Sequence, residues 1–110
     1  MPKYLFQATY TAEGIKGLEK DKASGRKAAL SKAVEGLGGK LEAFYLSFGE
    51  HDWVLLADLP DNASATAFSF AVTGSGLLRA TTTPLVSVEE TDKAFQKKAK
   101  FQAPGQFTAG

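Results

Sequence analysis

The segment Asp52–Leu59, DWVLLADL, is apolar on both faces that an extended chain presents: Trp53, Leu55 and Ala57 on one side, Val54 and Leu56 on the other. A strand of this kind lies inside a sheet and needs apolar cover above and below. Each face of that sheet must therefore meet a second layer. With 110 residues the chain can build one hydrophobic core.

The flanking segments set the order of elements. Tyr4–Tyr10, YLFQATY, alternates Tyr4, Phe6, Ala8 and Tyr10 against Leu5, Gln7 and Thr9, which predicts a first strand. The following TAEGIKGLEKDKASG, interrupted by Gly14, Gly17 and Gly25, reads as a loop holding at most one short helical turn. From Ser24 as N-cap, Leu30, Ala33, Val34 and Leu37 follow helical spacing, and Gly38-Gly39 stops the helix. Lys40–Phe48 predicts a second strand ending at Gly49, with Leu41, Ala43, Tyr45 and Ser47 opposite Glu42, Phe44, Leu46 and Phe48.

Pro60 ends the DWVLLADL strand, and Asp61 is placed to cap a second helix with Ala63, Ala67, Phe70, Ala71 and Gly74 on one closely packed face. Leu77–Val86, with its threonine run and Pro84, predicts an edge strand. Ser87 and Glu90 form a capping box for a last helix to about Lys98, turning Val88, Phe95 and Ala99 inward. The expected division is one folded unit over residues 1–99 and a tail over 100–110, loose unless Phe101 and Phe107 dock.

Strand, helix, strand, strand, helix, strand, then a further helix, describes an α+β protein: a ferredoxin-like βαββαβ plait with an antiparallel four-stranded sheet and an extra C-terminal helix. Right-handed crossovers put the first and third strands in the centre and both helices on one face. The other face, with Leu5, Gln7 and Thr9 beside either the Trp53 set or the Val54 set, is then bare. A second copy packed sheet on sheet about a twofold axis covers it, giving a homodimer or higher homo-oligomer. The space between the sheets can hold a small apolar or aromatic ligand, with Gln7, Thr9, Trp53, Arg79, Thr81 and Thr83 as candidate lining.

At this point PKYLFQATYTAEGIKGL, GGKLEAFYLSFGEHDWVLLADLPDNASATAFSFAVTGSG and TTTPLVSVEE together resemble the GYD-domain family of small bacterial proteins, over roughly residues 2–92. The resemblance implies a ferredoxin-like, dimeric α/β barrel, and brings no established activity. The family's Gly-Tyr-Asp signature corresponds to Gly49 or the adjoining turn, then His51 where tyrosine is usual, then Asp52. Antibiotic-biosynthesis-type monooxygenases, haem-degrading oxygenases and stress-responsive barrels are broader likenesses of fold, which does not carry function.

His51 is the only histidine, between Glu50 and Asp52. It can serve as a general base oriented by a carboxylate, but successive strand residues point to opposite faces, so the three converge only if the chain turns there. One histidine also falls short of a two-histidine, one-carboxylate metal set, and no metal is expected. The favoured reading is a hairpin connection, with Gly49 supplying backbone freedom and Asp52 binding turn amides. Arg79 interrupts an uncharged strand and can clamp a carboxylate, or pair with Glu42 or Glu50 across a subunit boundary. Tyr45, with Tyr4 and Tyr10, is either cavity lining or packing. TGSG at Thr73–Gly76 lacks the lysine of a phosphate loop and follows a helix, so it reads as a C-cap.

Thirteen basic against twelve acidic residues give a net charge of +1, which supplies no field for nucleic acid or an anionic membrane. Without cysteine there is no disulfide or thiolate chemistry, and with no long apolar run the expectation is a cytoplasmic protein needing no cofactor. Three functions are compatible: a homo-oligomeric small-ligand binder, a cofactor-independent oxygenase or isomerase using His51, Arg79 and a tyrosine such as Tyr45, and an assembly or regulatory module.

Overall fold

The structure is a computed structural model that describes residues 1–105. Its elements are β1 (Lys3–Tyr10), α1 (Ala12–Gly36), β2 (Lys40–Leu46), β3 (Trp53–Asp58), α2 (Asn62–Gly74), β4 (Leu78–Leu85) and α3 (Val88–Phe95). The sheet order is β2-β3-β1-β4 and every neighbouring pair is antiparallel. This is the expected ferredoxin-like plait, with β1 and β3 central and β4 on an edge.

Tyr4, Phe6 and Ala8 of β1, Phe44 of β2, and Trp53, Leu55 and Ala57 of β3 are buried on one sheet face with Leu30 and Val34 of α1 and Ala65 and Phe68 of α2. Phe6 meets Phe68 edge-on with ring centres 4.8 Å apart, and Phe44 meets Trp53 at 5.6 Å. Both helices therefore cover the same face, as the crossover rule requires.

Four local expectations are corrected. The segment read as a loop is helical: α1 starts at Ala12, capped by Thr11, whose Oγ1 accepts from the Gly14 amide, and not at Ser24. Its amino half buries only Gly14, so no apolar periodicity announces it. In β2 the register shifts between Leu41 and Ala43, so Leu41 joins Phe44 against the core, and Ala43 and Tyr45 lie on the other face. In α2 the buried residues are Ala65 and Phe68, whereas Phe70 is 71% exposed and Ala63, Ala67, Ala71 and Gly74 are exposed as well. The Asp61 cap and the left-handed Gly76 after the helix are as expected.

The capping box of α3 is present, Ser87 Oγ accepting from the Glu90 amide. Its apolar residues do not turn inward: Val88 and Phe95 are 75% and 70% exposed, Ala99 and Phe101 are exposed, and α3 makes at most marginal contact with any other element. Phe107 lies outside the described residues.

Candidate functional site

The open sheet face is built by strand alternation. Across it, Tyr45, Val54, Gln7 and Thr81 form one row of paired residues, and Ala43, Leu56, Leu5 and Thr83 the next. Val54, Leu56, Leu5 and Gln7 are half-buried by their neighbours, while Tyr45 is 70% exposed and Thr81, Thr83 and Arg79 are exposed. One end carries Lys3, ion-paired with Glu42 and, at 2.7 Å, with Asp58. The hydrogen bond to Asp58, then that to Glu42, holds the Lys3 ammonium pKa above its ordinary value.

The opposite end holds His51, Thr9 and Arg79. Thr9 pairs with Arg79 across β1 and β4, and its Oγ1 lies 3.5 Å from His51 Nδ1. His51 is thus at the rim of the open face, half-exposed. Arg79 makes no ion pair among the described residues, and Glu42, one of its expected partners, is taken by Lys3. Gln7, Thr9, Tyr45, Arg79, Thr81 and His51 therefore share one surface. Trp53 does not: it is wholly buried on the helix side.

Glu50, His51 and Asp52 do not converge. The six residues Ser47–Asp52 connect β2 to β3 and are tied down by Asp52, whose amide donates to Ala8 O at 2.7 Å and whose Oδ2 accepts from the Tyr10 amide at 2.7 Å. Ser47 closes the connection by donating to His51 O at 2.7 Å. Asp52 is thereby a backbone acceptor that finishes β1. Gly49 has no left-handed backbone, and a side chain there would meet open space, so it is not the required pivot. Among the described residues no group of three or more histidine, cysteine or acidic side chains is arranged to hold a metal, and no helix is long and apolar enough to cross a membrane.

A second concave region lies on the helix side. α1 and α2 make at most marginal contact with each other, which leaves a cleft of about 200 Å³ floored by Trp53 and walled by Leu30, Phe68, Val72 and Leu78. It adjoins a smaller one of about 130 Å³ bounded by Tyr10, Leu18 and Asp21, and Arg26 borders both. Burial pushes the Tyr10 phenol pKa up, and the nearby Arg26 guanidinium and Trp53 indole offset this only partly. Tyr10 Oη and Trp53 Nε1 are shut off from water, and neither completes a hydrogen bond of acceptable geometry. Sequence reading missed this region. Its one trace is that Tyr10 continues the inward set Tyr4, Phe6, Ala8 beyond the fully buried core.

No curated protein and no solved structure matches the chain. The family model described as the GYD domain matches residues 4–95, from β1 to the end of α3. That span takes in the whole sheet and its connections, and the chain belongs to the GYD domain family.

Proposed function

We propose that the protein is a cytoplasmic homodimer, formed by packing the open sheet face of one copy on that of another, and that it acts as a small-ligand-binding module. The observation that carries this reading is the open face itself. Leu5, Val54, Leu56 and Tyr45 form a continuous apolar surface that no helix of the same chain covers. Packed about a twofold axis, that surface is self-complementary, and the Gln7, Thr9, Arg79 and Thr81 side supplies polar lining for a ligand between the sheets. Light scattering coupled to size-exclusion chromatography tests it: the wild type runs as a dimer at micromolar concentration and Val54→Lys as a folded monomer. A monomeric wild type overturns the reading.

One observation favours a second reading, a cofactor-independent enzyme acting on an aromatic compound. Thr9 stands between His51, whose ring nitrogens can donate or accept a hydrogen bond, and the guanidinium of Arg79. Native mass spectrometry of the protein from its own host reports both assembly and any retained molecule. Turnover of that molecule by wild type, lost in His51→Phe with binding kept, marks an enzyme; binding without turnover marks a carrier or sensor.

A further inference from the structure

We infer that the cleft between α1 and α2 is a binding site for a small, neutral, one-ring aromatic molecule carrying an acceptor oxygen, distinct from the open sheet face. Three observations support it. In a plait the two helices ordinarily pack together above the sheet; here they stand apart, with Ala29 and Ala33 of α1 facing Ala71 of α2 across an opening floored by an indole. The space of about 200 Å³ exceeds the ~150 Å³ apolar cavity known to admit benzene.

The buried polar atoms beside it that lack partners are donors: Trp53 Nε1, in its floor, can only donate, and Tyr10, in the adjoining smaller cleft, has an O–H to give, whereas the Ser75 hydroxyl in the wall already donates to Val72 O at 2.7 Å. Two buried donors without acceptors each carry a desolvation cost that an incoming oxygen removes. The ligand is neutral because the one cation at the cleft, Arg26, already pairs with Asp21 at 3.3 Å, and the Asp52 carboxylate lies near Tyr10.

The third observation concerns access. α1 is broken at Lys22, with φ 65° and ψ 162°, so Ala12–Asp21 and Ala23–Gly36 are two helical bodies joined at one residue. The donors, occluded as the two bodies stand, become reachable when the amino-terminal body swings on that joint and Arg26 moves with its pairing to Asp21. Among the described residues no other helix or strand contains such a break.

The test is a ¹H–¹⁵N titration of the full-length protein, in which the only tryptophan gives a single indole N–H resonance. Acetophenone is compared with α-methylstyrene, which keeps the shape and replaces the carbonyl oxygen by CH₂. Acetophenone is expected to move the indole resonance saturably and to bind roughly tenfold more tightly than its hydrocarbon match. That preference shrinks in Tyr10→Phe. Val54→Lys, altered on the opposite sheet face, retains acetophenone binding, so the result stands whether or not the chain dimerises. An indole resonance that neither compound moves overturns the site, and equal affinity for the two compounds overturns it as a site built on those donors.

Discussion

Lys22 carries a backbone conformation that is essentially reserved for glycine, and nothing in its side chain repays it: the residue is exposed in the middle of α1. Lys22→Gly should therefore raise stability by about 1 kcal/mol, the relieved strain outweighing glycine's extra unfolded-state entropy. That corresponds to a thermal midpoint higher by about 5 °C, read by calorimetry. Gly14 is the opposite case, because a Cβ there would run into the Leu77 carbonyl oxygen at the start of β4. Gly14→Ala should cost about 1–3 kcal/mol, seen as a lower urea midpoint. Tyr10 adds a pH signature. Its pKa is raised on folding, so its contribution is full below the ordinary phenol value of 10.0 and is lost as pH climbs through the folded value. Tyr10→Phe should flatten the alkaline limb of the stability curve. At this scale the sequence was partly readable. Thr9 and Arg79 could be placed on one face by strand alternation and pairing, but the direction of His51, in the β2–β3 connection, could not, and the Tyr10–Arg26–Trp53 grouping depends on where α1 breaks, which no spacing along the chain encodes.

Elements were legible wherever burial imposed a period. β1 and β3 contribute alternate residues to one core, and their patterns survive intact. β2 was half legible, since the shift between Leu41 and Ala43 reverses the alternation at a point that composition does not mark. The amino half of α1 was illegible for a different reason. It is a solvated helix whose glycines argue for a loop and whose Thr11 cap argues more quietly for a helix. In α2 the reading chose the small-residue stripe when the sheet in fact receives Ala65 and Phe68. The cap of α2 yields a pH prediction. Amide donation from Ser64 to Asp61, at 2.8 Å, lowers the Asp61 carboxyl pKa below its ordinary 3.8. A lowered value gives stability that is present above pH 3.8 and lost as pH falls through the folded pKa. Asp61→Asn keeps a capping oxygen but removes that titration, so acid unfolding should lose part of its pH dependence while helix content at neutral pH holds. Asp61→Ala should lower stability at neutral pH as well, and parallel circular dichroism titrations separate the two.

The whole molecule is extended for its length. Its radius of gyration is 18.3 Å, against about 13 Å for a compact chain of 110 residues. Its dimensions are 65, 30 and 21 Å, and α3 makes at most marginal contact with any other element. An amphipathic helix that buries nothing on its own body and a sheet face that receives nothing from its own helices are complementary deficits. The proposed second copy would resolve both at once, its sheet meeting the sheet while Val88 and Phe95 gain apolar cover across the interface. If the folded chain depends on a second copy in this way, unfolding releases two chains and its midpoint must move with concentration. Tenfold dilution then withdraws about 1.4 kcal/mol per dimer. Spread over the unfolding entropy of two 110-residue chains, it lowers the thermal midpoint by about 3 °C. Val54→Lys places an ammonium in the centre of the packed sheets, so its midpoint should be lower and independent of concentration. Phe95→Asp tests the helix separately: it should weaken the concentration dependence while leaving the near-ultraviolet signal of Trp53, buried in the other face of the same sheet, unchanged. A wild-type midpoint constant across a hundredfold range of concentration would show that the open face and α3 are stable uncovered, and that the extended shape belongs to the single chain.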